Sequence, residues 1–438
     1  MTRMTGWTRL PGRDRIWLGL HTAGVTTTTE PTGRDLVRAR LREIAAADPG
    51  CVLFRQAHPR RPDLWRAPQD VDEALRRADA LPLELLPGRD RASVTRALEA
   101  YVARGSTGPQ VTIFVHETTD GGPGVVGYAI PHAWGDALTA LGVGRSLVTG
   151  PDPAGRLWTH VGTPVRRPLL SALRQRFGTL AALRSVPAAR RAGTVGAAVA
   201  CPPAVQVDGA EPVVLATSIA REPLRDLKAW RRVHGGGASL NSVVMAVTRA
   251  ALLAEGVTLS GDLVVVYDDR LFLASGSSTR GNFVSALRLR PADPCDPASV
   301  DEAVRAAMSA GRPLLALAAG ATLSSTVHRP QWPVAPAPGG TPDLSFACVR
   351  SDRVLPPHLV RGADGENVLV CVTTPATRAS VAAMVIDQGS EIHVTVTAHA
   401  PLVARAAVER ALARLATHPV SLLVGADTPV SPVVAATP

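Results

Sequence analysis

Hydrophobic and polar positions follow two periods along the chain, and each period predicts its own kind of element. Short apolar runs bounded by Gly, Pro or Asn predict strands, and apolar residues recurring every three or four positions predict helices. The strongest pattern is a hairpin, in which apolar runs at 111–116 and 125–130 flank the turn cluster 120–124. The second run stops at Pro131, and a helical pattern follows over 136–148.

The rest of the pattern divides into two halves separated by a stretch rich in Ala, Pro, Gly and Val. We predict an N-terminal half at 1–192, a linker at 193–212, a C-terminal half at 213–425 and a loose tail at 426–438. In the first half we predict strands at 16–21 and 51–54, loops at 26–29 and 58–70, and helices at 31–47, 71–80, 92–104 and 168–191. In the second half we predict strands at 213–219, 262–267, 344–349, 367–373, 380–386 and 391–398, a strand fed by a turn within 280–290, helices at 224–234, 240–254, 297–311 and 402–416, and a proline-rich crossover at 328–342.

Length and composition are those of a two-core globular protein. The chain has 438 residues, of which 46% are hydrophobic, and no apolar run is as long as a membrane helix. Residues 1–7 lack a basic-then-apolar signal pattern, so we expect a cytoplasmic protein. From the lengths of the apolar runs we expect no transmembrane segment, and we also expect a monomer. The five cysteines are widely spaced and form no C-x-x-C motif, which favours reduced, packed thiols over a disulfide framework or a metal site.

The net charge of +10 comes almost wholly from arginine, since Lys228 is the only lysine. Arginine with abundant alanine, valine and glycine is typical of a GC-rich coding bias and does not itself indicate a nucleic-acid ligand. Aromatic residues make up 4%, too few for a base-stacking platform, so we expect no nucleic-acid partner. Nucleic-acid binding by the basic surface would instead predict an affinity for DNA or RNA that falls steeply with salt. Coenzyme A phosphates or an acidic carrier protein would be attracted by the same field.

His132 is the candidate for chemistry that the pattern singles out. It follows directly on a buried strand, and Asp136 lies four residues further on, near a helix start. A histidine in such a place can accept a proton near neutral pH, but the spacing alone favours a structural histidine over a catalytic one. Other local signatures are missing: there is no phosphate loop, no dinucleotide fingerprint and no G-x-S-x-G elbow, and His116-Glu117 lacks the second histidine of a zinc protease.

The stretches Pro131–Ala137, Ser239–Met245 and Arg280–Arg288 together resemble the coenzyme A-dependent acyltransferase superfamily, which includes chloramphenicol acetyltransferase, wax ester synthase/diacylglycerol acyltransferase proteins and the condensation domains of nonribosomal peptide synthetases. Pro131-His-Ala-Trp-Gly-Asp-Ala resembles the HHxxxDG motif of that superfamily. Ser239-Leu-Asn-Ser-Val-Val-Met is similar to a helix of the wax ester synthase group, and Arg280-Gly-Asn-Phe-Val-Ser-Ala-Leu-Arg to the G-N-F-V-N-T segment of condensation domains. The resemblance covers about residues 10–420.

The sequence departs from the superfamily pattern at several positions. The first motif histidine is Pro131, the final motif glycine is Ala137, and the Asn-Asp pair of the wax ester synthase helix is Asn241-Ser242. The S-N-V-P-G-P segment is not found around residues 345–349. These departures leave the substrate class open.

The resemblance implies an α/β fold with mixed sheets, in which two chloramphenicol acetyltransferase-like halves form a pseudo-dimer around a central tunnel. It implies that His132 is the general base and that Asp136 supports the site through an arginine. We expect Arg270 as that arginine, with Arg288 and Arg290 as alternatives. Trp134, Asn241, Gly281 and Asn282 are the predicted substrate-binding residues, with Trp134 or nearby backbone amides as candidate oxyanion donors.

The expected activity is acyl transfer to a small-molecule hydroxyl or amine acceptor, in specialised-metabolite or lipid biosynthesis. The donor would be a thioester of coenzyme A or of the phosphopantetheine of a carrier protein, as a co-substrate, with no permanently bound cofactor. The Gly281-Asn282-Phe283 segment and the missing S-N-V-P-G-P segment favour specialised metabolism. The alternative is a non-catalytic condensation-like protein that docks a carrier protein or a tailoring enzyme.

Overall fold

The computed structural model describes most of the chain. The described ranges are 6–15, 17–104, 110–119, 121–151, 166–177, 211–273, 281–323, 341–351, 355, 367–375, 380–400 and 402–424. Most of the predicted linker 193–212, most of the proline-rich segment 328–342, the end of the predicted helix 168–191 and the tail 426–438 lie outside these ranges, as does Arg280.

Strands and helices alternate along the described residues in a mixed α/β order. The strands are β1 (Thr8–Arg9), β2 (His21–Thr27), β3 (Gln56–His58), β4 (Arg61–Arg66), β5 (Leu83–Leu85), β6 (Thr112–Val115), β7 (Val125–Pro131), β8 (Pro212–Ile219), β9 (Leu263–Asp268), β10 (Val284–Leu289), β11 (Asp343–Arg350), β12 (Leu369–Thr373), β13 (Ser380–Asp387) and β14 (Ile392–His399). The helices are α1 (Gly12–Arg15), α2 (Arg34–Ala47), α3 (Val71–Ala80), α4 (Arg91–Arg104), α5 (Ala137–Thr149), α6 (Arg166–Phe177), α7 (Arg221–His234), α8 (Leu240–Ala254), α9 (Pro297–Ser309), α10 (Arg312–Leu323) and α11 (Arg405–Thr417).

The N-terminal half is built on a five-stranded mixed sheet of order β12-β2-β7-β6-β5. Its central strand β7 is buried on both faces, because Val126 and Ile130 enter one core while Val125 and Ala129 enter another. Burial on both faces explains why β7 is continuously apolar instead of alternating. The strand therefore delivers its last residues, and the histidine after them, into the interior.

The edge strand β12 comes from the C-terminal half. It pairs antiparallel with β2, with Cys371 opposite Gly24. A strand from beyond residue 213 thus completes the first sheet, so the two halves exchange backbone hydrogen bonds as well as side-chain contacts. Hydrophobic periodicity predicts that strand at 367–373 but carries no information about which sheet it joins.

The C-terminal half contains a six-stranded sheet of order β10-β9-β11-β13-β14-β8, with β11 parallel to both β9 and β13. Helix α8 is its central helix and is apolar almost all round, as the sequence predicts. The predicted cap is also present, since the Ser239 hydroxyl accepts from the Ser242 amide at 3.1 Å. A further small sheet of order β1-β4-β3 lies in the N-terminal half.

The structure corrects three of the predicted elements. Within the predicted strand 16–21, Trp17–Leu20 instead form a turn after α1, and β2 starts only at His21, so the predicted threonine loop at 26–29 begins inside β2. The run Val52–Phe54 is a buried 3-10 turn, which a short apolar run cannot distinguish from a strand. The predicted loop 58–70 contains the β3–β4 hairpin, and α10 was not predicted.

None of the helices in the described ranges is long and apolar enough to cross a membrane.

Candidate active site

The strand-to-helix connection after β7 is set by local sequence. Pro131 ends the strand, His132–Trp134 form a single 3-10 turn, and Asp136 caps α5 by accepting from the Thr139 amide at 3.4 Å. Gly135 is required by space, since a Cβ there would lie 2.5 Å from the Thr139 side chain. The connection is therefore short, and His132 and Asp136 are held in one compact turn.

His132 is fixed by its backbone and by its ring. Its amide donates to the Leu20 carbonyl at 2.8 Å, and its own carbonyl accepts from Asn282 Nδ2 at 2.8 Å. The imidazole stacks on the indole of Trp17, with ring centroids 4.3 Å apart and planes 9° from parallel. The residue is 7% exposed, which leaves little freedom for the ring to turn.

Burial sets the protonation state of this imidazole. It lowers the pKa of His132, and the opposing effects of its own backbone carbonyl, the Asp136 carboxylate and the Asn282 side chain do not cancel the shift. The ring is therefore neutral at pH 7. Nδ1 of His132 is fully buried and has no hydrogen-bond partner among the described residues. Proton exchange with a bound molecule would therefore have to use Nε2.

Asp136 makes the ion pair that was predicted for it. Arg270 Nη2 lies 2.7 Å from Asp136 Oδ2, with side-chain exposures of 17% and 2%. The same carboxylate oxygen accepts from the Phe283 amide at 3.2 Å. Burial alone would lower the pKa of Arg270, but the charges of Asp136 and Asp268 outweigh it and raise that pKa. Asp136 is thus saturated by an arginine, an amide and its helix cap, and it directs no oxygen at the histidine ring in any hydrogen bond of the described residues.

The two alternative arginines are engaged elsewhere. Arg288 binds Asp262 and Asp343, at 2.9 and 2.5 Å, and Arg290 lies 3.3 Å from Asp262. Both residues flank the second sheet, where they pin β9, β10 and β11 to one another. Arg270, and not the other two arginines, reaches Asp136 because it lies in the 3-10 turn Asp269–Phe272 that follows β9.

The Gly281–Asn282 segment forms the other wall of the site. Gly281 adopts φ +74, a conformation that favours glycine, and its carbonyl accepts from Arg270 Nη2 at 2.8 Å. Asn282 is 0% exposed, and its amide donates to Asp14 Oδ1 at 3.3 Å. Its side chain donates to the backbone carbonyl of His132, so Asn282 supports the histidine turn, and its contact with substrate stays a prediction.

Substitution of Asn282 should show this supporting role. Asn282→Ala removes the donor to the buried His132 carbonyl, so we expect the free energy of unfolding to fall by about 1–3 kcal/mol. Asn241→Ala is the matched control, because Asn241 is exposed at the first turn of α8 and should change stability by less than about 0.5 kcal/mol. Denaturant unfolding measures both values, and equal stabilities of the two variants would contradict the assignment.

The remaining predicted residues are Trp134 and Asn241. Trp134 is 2% exposed and packs in the hydrophobic core beneath the first sheet, and its role as an oxyanion donor stays a prediction. Asn241 belongs to α8, which packs on α9 and α11 in the core of the C-terminal half. Within the described ranges, no group of three His, Cys, Asp or Glu side chains could hold a metal ion.

Sequence reasoning missed two residues near the start of the chain, one stacked on His132 and one paired with Pro131. Trp17 forms the ring stack, and His21 is the cross-strand partner of Pro131. Both lie in the apolar stretch interpreted as a strand, and nothing in the periodicity of that stretch indicates a contact with residue 132. A cavity of about 720 Å³ lies beside α3 and β3 and is not lined by His132.

Comparison with known proteins identifies the fold. No protein-family model matches the sequence, and no curated protein does so. Among solved structures, trichothecene 15-O-acetyltransferase TRI3 from Fusarium sporotrichioides superposes with a TM-score of 0.61 at 14% identity, covering 95% of this chain and 94% of that one. The first condensation domain of the calcium-dependent antibiotic synthetase superposes with a TM-score of 0.59 at 15% identity, covering 98% and 99%.

A third similar structure is the EpoB cyclization-docking bidomain from Sorangium cellulosum, with a TM-score of 0.56 at 14% identity and coverage of 95% and 85%. These alignments span nearly the whole chain, so they confirm the predicted α/β fold of acetyltransferase and condensation proteins. At 14–15% identity the likeness is one of fold alone, and it does not extend to the predicted wax ester synthase resemblance.

Proposed function

We propose that the chain is an acyltransferase that moves an acyl group from a thioester to a hydroxyl or amine, with His132 as the general base. The observation that carries the proposal is the state of His132: a buried, neutral imidazole stacked on Trp17, on a residue whose backbone carbonyl is bonded by Asn282. The fold, which it shares with an O-acetyltransferase and a condensation domain, supports this assignment.

The mechanism follows from the free nitrogen of a fixed imidazole. Nε2 of His132 takes the proton of the acceptor O–H or N–H while the acceptor atom attacks the thioester carbon. The resulting tetrahedral oxyanion collapses, the C–S bond breaks, and the leaving thiolate takes the proton back from the imidazolium. Holding donor and acceptor together on either side of one base contributes the entropic part of the rate enhancement.

Asp136 acts on this reaction through position and not through proton transfer. Its carboxylate is committed to Arg270 and to the Phe283 amide, so it fixes the turn that carries His132. Because Arg270 and Phe283 belong to the C-terminal half, the pair also ties the two halves together at the base. Asp136 and Arg270 are therefore positioning residues.

The donor is proposed to be an acyl thioester of coenzyme A or of a carrier-protein phosphopantetheine, used as a substrate. Both carry phosphates or acidic surfaces that a chain of net charge +10 attracts. The Gly281-Asn282 segment shapes the histidine turn directly, and it is the stretch that resembles condensation domains. This favours a compact specialised metabolite over a lipid as the product.

A direct assay tests the proposal. Acetyl-, butyryl- and octanoyl-coenzyme A are each offered with a primary alcohol or a primary amine, and thiol release is followed with a chromogenic disulfide. Acceptor-dependent thiol release with formation of ester or amide supports acyl transfer. The same acyl groups loaded on a phosphopantetheinylated carrier protein distinguish the two donor classes. A protein that docks carrier protein but transfers no acyl group from either donor would instead fit the non-catalytic alternative.

The pH dependence of the transfer should follow the His132 imidazole. Since burial lowers its pKa below the ordinary 6.5, the neutral, active form already dominates at pH 7. We expect kcat/KM to rise with pH through a single ionisation below 6.5 and to be level above it. The pH profile is measured with a neutral acceptor alcohol, which does not itself titrate. A limb centred above pH 7 would contradict a buried imidazole as the base.

A further inference from the structure

A second histidine lies on the strand that pairs with β7. In the pairing of β2 with β7, His21 is directly opposite Pro131, the residue before the proposed base and the position of the first histidine in the resembling motif. Burial, and after it the charge of His132, lower the pKa of His21 to about 4. His21 is therefore neutral at pH 7, where the proposed base is also neutral.

Tyr101 determines which nitrogen of His21 carries the proton. The phenol oxygen lies 2.7 Å from His21 Nδ1. Burial raises the pKa of Tyr101, so its O–H stays protonated, and within the described ranges this hydroxyl makes no other hydrogen bond. A phenol is a stronger donor than a neutral imidazole, and an imidazole nitrogen is a stronger acceptor than a phenol. Tyr101 therefore donates to Nδ1, and the one ring proton of His21 resides on Nε2.

The backbone of His21 is also clamped. Its amide donates to Thr374 Oγ1 at 3.0 Å, and its carbonyl accepts from the Thr374 amide at 3.1 Å. Thr374 follows β12, the strand that the C-terminal half adds to the first sheet. A neutral donor on β2 is thus held from three directions: by the strand pairing, by Tyr101 and by Thr374.

We propose that His21 is a second catalytic group, whose Nε2–H donates a hydrogen bond to the oxyanion formed beside His132. The inference rests on the proposed acyl transfer. In that reaction the thioester carbonyl oxygen gains negative charge as the acceptor attacks and as His132 takes the acceptor proton. His21 keeps its own proton throughout, stabilises the oxyanion, and releases it when the C–S bond breaks.

Kinetics of three variants test the role in the coenzyme A assay. His21→Leu removes the donor and should lower kcat by about 10²–10³ with little change in the KM of the thioester. His21→Gln retains an amide N–H at a comparable reach and should recover part of the loss. Tyr101→Phe leaves the ring but frees its tautomer, so we expect a smaller fall of roughly two- to tenfold. Thermal unfolding of each variant checks that the fold is retained.

The tautomer is measured independently of turnover. In ¹⁵N-histidine-labelled protein at pH 7, His21 should give the signals of a neutral ring protonated on Nε2, and these should change in Tyr101→Phe. A ring protonated on Nδ1 would overturn the proposal even in an active enzyme. An active wild type, an inactive His132→Ala and a fully active His21→Leu would overturn the role of His21 alone. A wild type that transfers no acyl group would count against the proposed function, and against the donor role with it.

Discussion

His132→Ala will lose acyl transfer while the protein remains folded. A positioned general base contributes roughly 10²–10⁴-fold to such a reaction, so kcat should fall by that factor. The thioester should still bind, since the substitution removes only the proton acceptor and the exposed edge of one ring. The measurement is kcat and KM with acyl-coenzyme A and an alcohol, together with the binding of coenzyme A to both proteins by calorimetry.

His234→Ala is the matched control for this substitution. His234 is exposed at the end of α7, far along the chain from the proposed base, and its removal should leave the rate unchanged. Loss of Trp17 stacking also has to be separated from loss of the base, and His132→Gln does so because it keeps a planar side chain against the indole. If His132→Ala and His132→Gln transfer acyl groups as fast as wild type, His132 is a structural histidine and the transferase assignment is wrong.

The predictable part of the site is the part encoded within one stretch of sequence. The apolar run of β7, the proline that ends it, the glycine and the helix cap at Asp136 all follow from local rules, and the structure has each of them in place. Arg270 was predicted as the partner of Asp136 by resemblance, and the ion pair is present. Local sequence could not choose between Arg270, Arg288 and Arg290, because all three lie within or shortly after strands of the same sheet.

The remainder of the site depends on long-range contacts that leave no periodic signal. Trp17 and His132 are 115 positions apart in the chain, and Asn282 bonds a carbonyl 150 positions away. Asn282 was predicted to bind substrate because its segment resembles the G-N-F-V-N-T segment of condensation domains. In the structure it is buried, and its side chain supports the histidine turn. A motif identifies which residues matter to a site without stating which of them face the ligand.

The fold was predictable to a similar depth. Alternation and turn residues located the β6–β7 hairpin and the strands of the C-terminal sheet, because each has a local signature. The destination of β12 in the first sheet was not predictable, because strand exchange between halves depends on the pairing edge that β2 leaves open. The Val52–Phe54 turn was misassigned because all its side chains are buried, which erases both periods.

Asp136→Asn should destabilise the protein more than any other single polar substitution discussed above. The carboxylate is buried. When its charge is removed, Arg270 keeps its ion pair with Asp268, in a partly buried site. Breaking a buried pair in this way costs about 3–5 kcal/mol, and the remaining contact with Asp268 argues for the lower part of that range. Asparagine still caps a helix well, so this variant isolates the charge from the cap, and Asp136→Ala should lose about 1 kcal/mol more.

The ion pair should also appear as a coupling energy and as a rate effect. In a double-mutant cycle with Arg270→Met, the two substitutions should be markedly non-additive, because each removes the same interaction. Asp79→Asn is the matched control: Asp79 pairs with Arg42 at 2.7 Å on the surface, where water screens the charges, so its stability change should be far smaller. Additive losses at Asp136 and Arg270 would mean that each residue acts through other neighbours. Because the Asp136 charge raises the pKa of His132, Asp136→Asn should also move the pH limb of His132 to lower pH. A fall in kcat that persists on the level part of the profile reports positioning of the base and not tuning of its pKa, since a displacement of the ring by about 1 Å can cost roughly 10²-fold.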